Sequence, residues 1–289
     1  MNKILLLSQR LTIIGLLICL FSTPVYAQPV QRIVSLAPHL TEMTYSAGAG
    51  KYLVGVAHYS DYPKAAADLP IVSDYQSINL ERIVSLKPDL ILAWASATKR
   101  QDIERLKRLG FKVWLSEIKT LADIPDQIEQ IGHLAGTQSI ADKEAARLRR
   151  VLSKTGKTYQ HLSPVTAFYE VWHKPLITVN GQQFIGQAID LCGGKNVFAD
   201  LTALAPQVSL ESLLLKNPDV FLIGGEQNTQ QSWIQDWQRY PMLKAVKHHQ
   251  FYRLNSDLYQ RPTARLIDAL PALCRQLNQA RKAYRTLKR

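Results

Sequence analysis

The chain has 289 residues, of which 46% are hydrophobic and 20% are charged, and its formal net charge at pH 7 is +12. This length is sufficient for two lobes of ordinary domain size, each with an ample core. No nucleic-acid-binding motif accompanies the positive charge, much of which lies on predicted helix faces. The composition therefore disfavours a nucleic-acid partner and indicates a solvated basic surface, while an anionic ligand stays compatible with it.

The first 27 residues have the features of an export signal. Lys3 and Arg10 precede an apolar run at 11–21, and residues 25–27 fit the small-x-small cleavage rule. The apolar run is too short to span a bilayer comfortably, and no later stretch is long and apolar enough to do so. The sequence therefore predicts a signal peptide at 1–27 and an exported mature chain.

Predicted strands and helices alternate through residues 28–137. The loop at 58–63 reads His-Tyr-Ser-Asp-Tyr-Pro and is dense in aromatic and polar side chains. The predicted strands are 32–36, 52–56, 90–94 and 112–115, and the predicted helices include 99–109 and 121–135. Alternation of this kind predicts an N-terminal α/β lobe with a parallel sheet.

Residues 79–92 recur in register at 209–222. Each copy begins with a helix N-cap residue, continues as a short apolar helix, stops before Pro-Asp and enters a buried strand. The repeat predicts two lobes of similar topology, each with its own sheet. Glu81 and Glu211 occupy the same place in the two copies, where a carboxylate stabilises the helix dipole by roughly 0.3–1 kcal/mol.

Residues 138–161 interrupt the alternation with one long, charged helical pattern. About 23 helical residues extend roughly 35 Å, which is enough for a stiff connector between lobes. Alternation resumes in residues 162–289, which predicts a C-terminal α/β lobe. Its predicted strands are 165–171, 177–179 and 249–254, and its predicted helices are 184–191, 233–240 and 262–286. Pro271 is expected to kink or split the last helix.

Cys192 and Cys274 are the two cysteines that remain after the leader. An even pair in an oxidising compartment suggests a disulfide. The alternative, two free buried thiols, is disfavoured by export. The cysteine count therefore predicts one cross-link within the predicted C-terminal lobe.

Motifs for catalysis and for metal binding are absent from the sequence. Neither Gly-x-Ser-x-Gly nor His-Glu-x-x-His occurs, and nothing singles out a pair of carboxylates. The seven histidines are scattered, without the spacing that a zinc or manganese centre requires. These observations predict neither an enzyme nor a metal site, and an exported hydrolase is kept as a remote alternative.

Two α/β lobes, one long linking helix and an export signal together resemble the helical-backbone class (class III) of periplasmic solute-binding proteins. The similarity covers nearly the whole mature chain and is greatest to the members that bind cobalamin (vitamin B12). It is carried by the segments 59–63, 79–94, 191–198, 206–211 and 255–257. The resemblance implies a corrinoid held in the cleft between the lobes, with aromatic rings against its faces.

The resemblance also implies a set of ligand contacts. They are Tyr59, Tyr75 and Trp94 on the first lobe, and Asp257, Tyr259 and Arg261 on the second. Tyr75, Ala205 and Leu258 stand where the cobalamin-binding members carry tryptophan. We therefore expect Trp172 to supply a substitute ring.

The resemblance further implies a partner in the inner membrane. Glu81 and Glu211, one on each lobe, are expected to meet arginines of the permease subunits of an ABC importer, whose separate cytoplasmic subunit hydrolyses ATP. The protein itself is expected to be a periplasmic, non-enzymatic monomer when free, with cobalamin as transported ligand and no cofactor. A haem or ferric-siderophore binder on the same fold is the alternative.

Overall fold

The computed structural model describes residues 30–74 and 76–287 and contains two parallel sheets. The first sheet has five strands in the order β3-β2-β1-β4-β5, and the second has four in the order β7-β6-β8-β9. The strands are Ile33–Ser35 (β1), Leu53–Ala57 (β2), Ile71–Ser73 (β3), Leu90–Trp94 (β4), Val113–Ser116 (β5), Val165–Glu170 (β6), Gly194–Asn196 (β7), Val220–Ile223 (β8) and Phe251–Arg253 (β9). We call the parts that carry the two sheets the first and second lobes; their exact boundaries stay predictions.

Helices connect the parallel strands, as crossovers between parallel strands require. The first lobe contains Pro38–Ser46 (α1), Leu80–Leu86 (α2), Arg100–Arg108 (α3) and Asp123–Ala135 (α4), followed by the linking helix Gln138–Tyr159 (α5). The second lobe contains Phe184–Leu191 (α6), Leu210–Lys216 (α7), Gln227–Trp237 (α8), Lys244–Lys247 (α9), Ser256–Tyr259 (α10) and Ala264–Leu287 (α11). This architecture confirms the predicted α/β class.

The two copies of the sequence repeat adopt the same local structure. The Asn79 side chain accepts a hydrogen bond from the Arg82 amide at the start of α2, and the Ser209 side chain caps α7 in the same way. Lys87 and Asn217, which end the two helices, have φ angles of 45° and 43°. Each of them precedes a proline, whose ring excludes the right-handed helical conformation at that position and so stops the helix.

The linking helix α5 packs against α4 and α11 rather than crossing open solvent. It has 22 residues, which corresponds to about 33 Å. One hydrophobic cluster includes Leu40 of α1, Leu148 of α5, and Leu266 and Leu270 of α11, all fully buried. The lobes therefore share a continuous core, and a large hinge motion would expose apolar surface.

The predicted strand at 177–179 is wrong, and the last helix is not split at Pro271, although a kink there stays a prediction. Ile177 makes isolated antiparallel bridges to Trp172 and Gln207, so 177–179 is not a strand of the parallel sheet. Its backbone amide and carbonyl bond to Trp172 within the same loop. Pro271 does not split α11, because the helix buries an apolar face against the shared core, and this packing outweighs the lost hydrogen bond.

The predicted disulfide is confirmed between Cys192 and Cys274. It joins the residue that ends α6 to the middle of α11. Nearby, Arg281 of α11 donates to the carbonyl oxygens of Ser163, Cys192 and Gly193. Both contacts attach α11 to the second sheet and its first helix. Within residues 30–74 and 76–287, no helix has the length and apolar character needed to cross a bilayer.

Candidate functional site

A cleft of about 530 Å³ lies between the two lobes. Tyr59 and Asp61, in the loop after β2, line its first-lobe side, and Asp257 and Arg261, which follow β9, line the other. These segments follow the carboxyl ends of their strands. Open parallel sheets bind ligands at this end, where loops from neighbouring strands converge.

A second pocket, of about 300 Å³, lies in the first lobe and adjoins the cleft at Tyr59, which lines both. Trp94, the last residue of β4, lines this pocket, and its ring meets the edge of His39 at a centroid distance of 4.9 Å. The structure thus brings the predicted contacts Tyr59 and Trp94 to one cavity. Tyr75 lies outside the described residues, although its neighbours Asp74 and Gln76 line the same pocket.

Tyr59 projects from a constrained loop. Its side chain is 66% exposed, and its φ of 65° lies in the left-handed region, which tyrosine adopts at a cost. The following residue anchors the loop, because the buried hydroxyl of Ser60 lies 3.0 Å from Oγ1 of Thr41. Strained backbone of this kind at a cleft is typical of functional sites.

The predicted contacts of the second lobe do not all face the cleft. Asp257 and Arg261 line it and form an ion pair of 3.4 Å. Tyr259 is buried, its hydroxyl donates to the carbonyl oxygen of Ala269, and burial raises its pKa to about 12. Asp257 and Tyr259 are two positions apart in α10, and residues at this spacing lie on different faces of a helix. The role of Tyr259 as a ligand contact stays a prediction.

Trp172 does not line the cleft, and its ring contacts that of Trp233. Its side chain is 52% exposed, its Nε1 donates to the carbonyl oxygen of Lys174, and its ring meets that of Trp233 at 6.0 Å. A Cβ atom built on Gly225, which lines the cleft, would lie only 2.7 Å from Cη2 of Trp233. Trp233 thus neighbours both Trp172 and the cleft wall, whereas Trp172 lines neither the cleft nor the adjoining pocket. The predicted contact of Trp172 with a ligand stays a prediction.

An ionic network that the sequence did not predict crosses between the lobes beside the cleft. Glu42 of α1 accepts hydrogen bonds from Arg261 and Arg265 of the second lobe. Arg261 also donates to Asp61, and this bond holds the pKa of Asp61 below its usual range. Glu42 is the only acidic residue in α1, and that isolated acid was the only sequence signal that pointed to a buried charge.

Glu81 and Glu211 lie exposed in the first turns of α2 and α7. Hydrogen bonds from its own backbone amide and from Ser209 lower the pKa of Glu211. Neither carboxylate forms a salt bridge within the part of the chain that the structure describes. In the same ranges, no group of three or more His, Cys, Asp or Glu side chains could hold a metal ion.

The sequence of this chain is similar to those of periplasmic binding proteins. The model of the periplasmic binding protein family matches residues 33–258. The vitamin B12-binding protein of Vibrio vulnificus (strain YJ016) is 40% identical over 262 residues, which cover 89% of this chain and 94% of that protein. The corresponding protein of Vibrio cholerae serotype O1 (strain M66-2) is 38% identical over 275 residues, covering 93% and 99%.

Solved structures show the same similarity. The crystal structure of the periplasmic vitamin B12 binding protein BtuF of Vibrio cholerae aligns with a TM-score of 0.80 at 39% identity, covering 88% of this chain and 99% of that one. The periplasmic heme binding protein HutB of Vibrio cholerae aligns with a TM-score of 0.76 at 17% identity, covering 86% and 98%. The second similarity concerns the fold alone.

Proposed function

This chain belongs to the periplasmic binding protein family, and on that premise we propose that it is the vitamin B12-binding component of an ABC importer. The observation that carries the proposal is the cleft, in which Tyr59 on one lobe faces Asp257 and Arg261 on the other, together with the adjoining pocket that Tyr59 and Trp94 line. A corrinoid is a flat macrocycle with apolar faces and an amide rim. Aromatic rings suit its faces, and a few charged groups suit its rim.

The proposed contacts differ in how directly the structure supports them. Four residues line the cleft or the adjoining pocket and are proposed to touch the ligand: Tyr59, Trp94, Asp257 and Arg261. Tyr75, Trp172 and Tyr259 are retained as proposed contacts from the sequence. A lower affinity of Trp172→Ala for cyanocobalamin would support a contact between Trp172 and the ligand. An unchanged affinity would exclude that contact.

Of the three tryptophans that related binders carry, one is replaced by another aromatic residue, Tyr75, and two are replaced by residues without a ring, Ala205 and Leu258. Leu258 packs against the shared core, and Ala205 is exposed in the loop before α7. Neither residue can supply an aromatic face to a ligand. The absent rings are therefore expected to affect the affinity for the corrinoid and the choice among corrinoids.

Delivery is proposed to occur in the periplasm, after removal of the leader at 1–27, by docking on the membrane permease. Glu81 and Glu211 are proposed to meet cationic residues of the two permease subunits. Both are exposed, and they occupy equivalent places on the two lobes. Two equivalent charges suit a partner with two-fold symmetry. ATP hydrolysis is assigned to a separate subunit of the importer.

Titration of the purified mature protein, residues 28–289, with cyanocobalamin tests the proposal. We expect one-to-one binding with a Kd below about 1 µM by calorimetry and tryptophan fluorescence. Haem and a ferric siderophore serve as competing ligands in parallel titrations. Binding of haem or of the siderophore, without binding of cyanocobalamin, would show that the protein binds that ligand class instead. Turnover without stoichiometric binding would indicate a hydrolase.

A further inference from the structure

Glu42 is a buried carboxylate at the junction of the lobes. Its side chain is only 2% exposed, and its two oxygens receive hydrogen bonds from Arg265 Nε at 2.8 Å and from Arg261 at 3.1 Å. The arginines lie 223 and 219 residues further along the chain. Because a buried charge is costly unless it is paired, the burial of Glu42 depends on both guanidinium groups.

Arg265 is held firmly in this arrangement. Besides its two hydrogen bonds to Glu42, its guanidinium carbon lies 3.9 Å from the centre of the Tyr62 ring. Tyr62 belongs to the same first-lobe loop as Tyr59. Glu42 and Arg265 therefore form a fixed ion pair across the lobes, next to the loop that carries a proposed ligand contact.

Arg261 has partners of two kinds. Behind it lies the buried Glu42, and beside the cleft lie the carboxylates of Asp61 and Asp257, which are 55% and 58% exposed. Exposed ion pairs contribute little because water competes for both charges, whereas a buried pair resists exchange. Arg261 bonds Asp61 through two nitrogens, at 2.5 and 3.3 Å, and Glu42 through one, at 3.1 Å. Asp61 is the partner that is open to solvent, so it is the one that a ligand oxygen can reach and replace.

We propose that Glu42 is a positioning residue for ligand binding: it holds the guanidinium of Arg261 at the cleft, while Asp61 occupies the place that a ligand oxygen takes on binding. The inference rests on the proposed function, in which Arg261 contacts the amide rim of cobalamin. A donor that is already oriented loses less freedom on binding, so fixing Arg261 in the free protein favours the complex.

A purely structural role for Glu42 leads to a different expectation. If Glu42 only braced the lobes through Arg265, the effect of removing its charge on affinity would be the same whether or not Arg261 is present. If Glu42 acts through Arg261, the two substitutions are coupled and their effects do not add. Asp61 provides the matched control, because it is a second carboxylate bonded to the same arginine.

The test is a double-mutant cycle in cyanocobalamin affinity, measured by calorimetry. We expect Glu42→Gln to weaken binding about tenfold and to have no further effect in an Arg261→Met background. Asp61→Asn should bind about threefold more tightly, because the ligand no longer competes with that carboxylate. Equal losses in Glu42→Gln and Asp61→Asn, or additive losses in the cycle, would overturn the proposal.

A second measurement does not depend on ligand. In the free wild-type protein, the Nη1 protons of Arg261, which Glu42 and Asp61 accept, should give NMR signals of a rigid, slowly exchanging group, assigned by their absence in Arg261→Lys. Asp61→Asn and Glu42→Asp should keep this rigidity, and Glu42→Gln should lose it. A rigid Arg261 in Glu42→Gln would refute the positioning role even if the wild type bound no cyanocobalamin, an outcome that would separately refute the proposed function.

Discussion

Nδ1 of His173 lies 2.6 Å from Oε1 of Glu170, a carboxylate with no exposed surface. The other ring nitrogen of His173 lies 3.0 Å from the carboxylate of Asp236, and Trp237 donates its indole N–H to Oε2 of Glu170. The imidazole also stacks on Trp233 at a centroid distance of 5.7 Å. An imidazolium between two carboxylates fits this arrangement, and hydrogen bonding to Glu170 raises the pKa of His173.

This geometry predicts that the contribution of His173 to the free energy of unfolding falls as the pH rises above about 6.5. The pKa of His173 is higher in the folded protein than its unfolded value of about 6.5, so the folded state binds the proton more tightly. Its contribution is fully present below about pH 6.5 and is lost as the pH rises through the folded pKa. We expect His173→Asn to lower the free energy of unfolding by about 2 kcal/mol at pH 6 and to flatten this dependence.

Urea denaturation at a series of pH values measures the effect of His173. His161→Asn, at an exposed position after α5, is the control and should keep the wild-type profile. A His173→Asn variant with the same pH slope as the wild type would contradict the assignment of an imidazolium at this site.

Removal of the disulfide should destabilise the protein markedly. Cys192 and Cys274 close a loop with a sequence separation of 82, for which the chain-entropy model gives roughly 4–5 kcal/mol. The double variant Cys192→Ala/Cys274→Ala should lose about this amount in denaturant unfolding without reductant. Reductant should bring the wild type to the same stability and leave the variant unchanged. Equal stability of the two oxidised proteins would show that the cross-link contributes nothing.

Substitutions at Tyr59 should separate binding from stability. Tyr59→Ala and Tyr59→Gly both remove the ring, and each should weaken cyanocobalamin binding about tenfold. Because φ is 65° at this position, Tyr59→Gly should be about 1 kcal/mol more stable than Tyr59→Ala. Calorimetric titration and thermal unfolding measure the two effects. Tyr59→Phe keeps the ring and should bind nearly as the wild type does; a loss as large as that of Tyr59→Ala would point to the hydroxyl instead.

Charge reversal at Glu81 and Glu211 should affect docking and leave ligand capture intact. Each of Glu81→Lys and Glu211→Lys should weaken binding to the detergent-solubilised importer about tenfold, mainly at low ionic strength. Glu104→Lys makes the same charge change on the exposed face of α3 and should bind the importer normally. Cyanocobalamin titration verifies that all three variants retain ligand binding. Normal docking of the Glu81→Lys/Glu211→Lys double variant would exclude these residues from the interface.

Local chemistry was sufficient to predict much of this protein from its sequence. N-cap residues and pre-proline stops act within a few positions, so the sequence alone determined α2, α7 and their shared geometry. Periodicity over many residues determined α5 in the same way. The disulfide followed from an even cysteine count, since no other cysteine was available after the leader.

Only the tertiary structure decided which side chains meet across the lobes. Glu42 pairs with Arg261 and Arg265 over more than two hundred residues, and no local pattern encodes such a contact. Tyr259 stands in a motif suited to the cleft, yet the packing of α10 on α11 buries its ring. Pro271 continues a helix that it should interrupt, because burial against the shared core outweighs its local preference. The sequence determined the elements through short-range backbone preferences, and long-range packing and charge pairing determined the site.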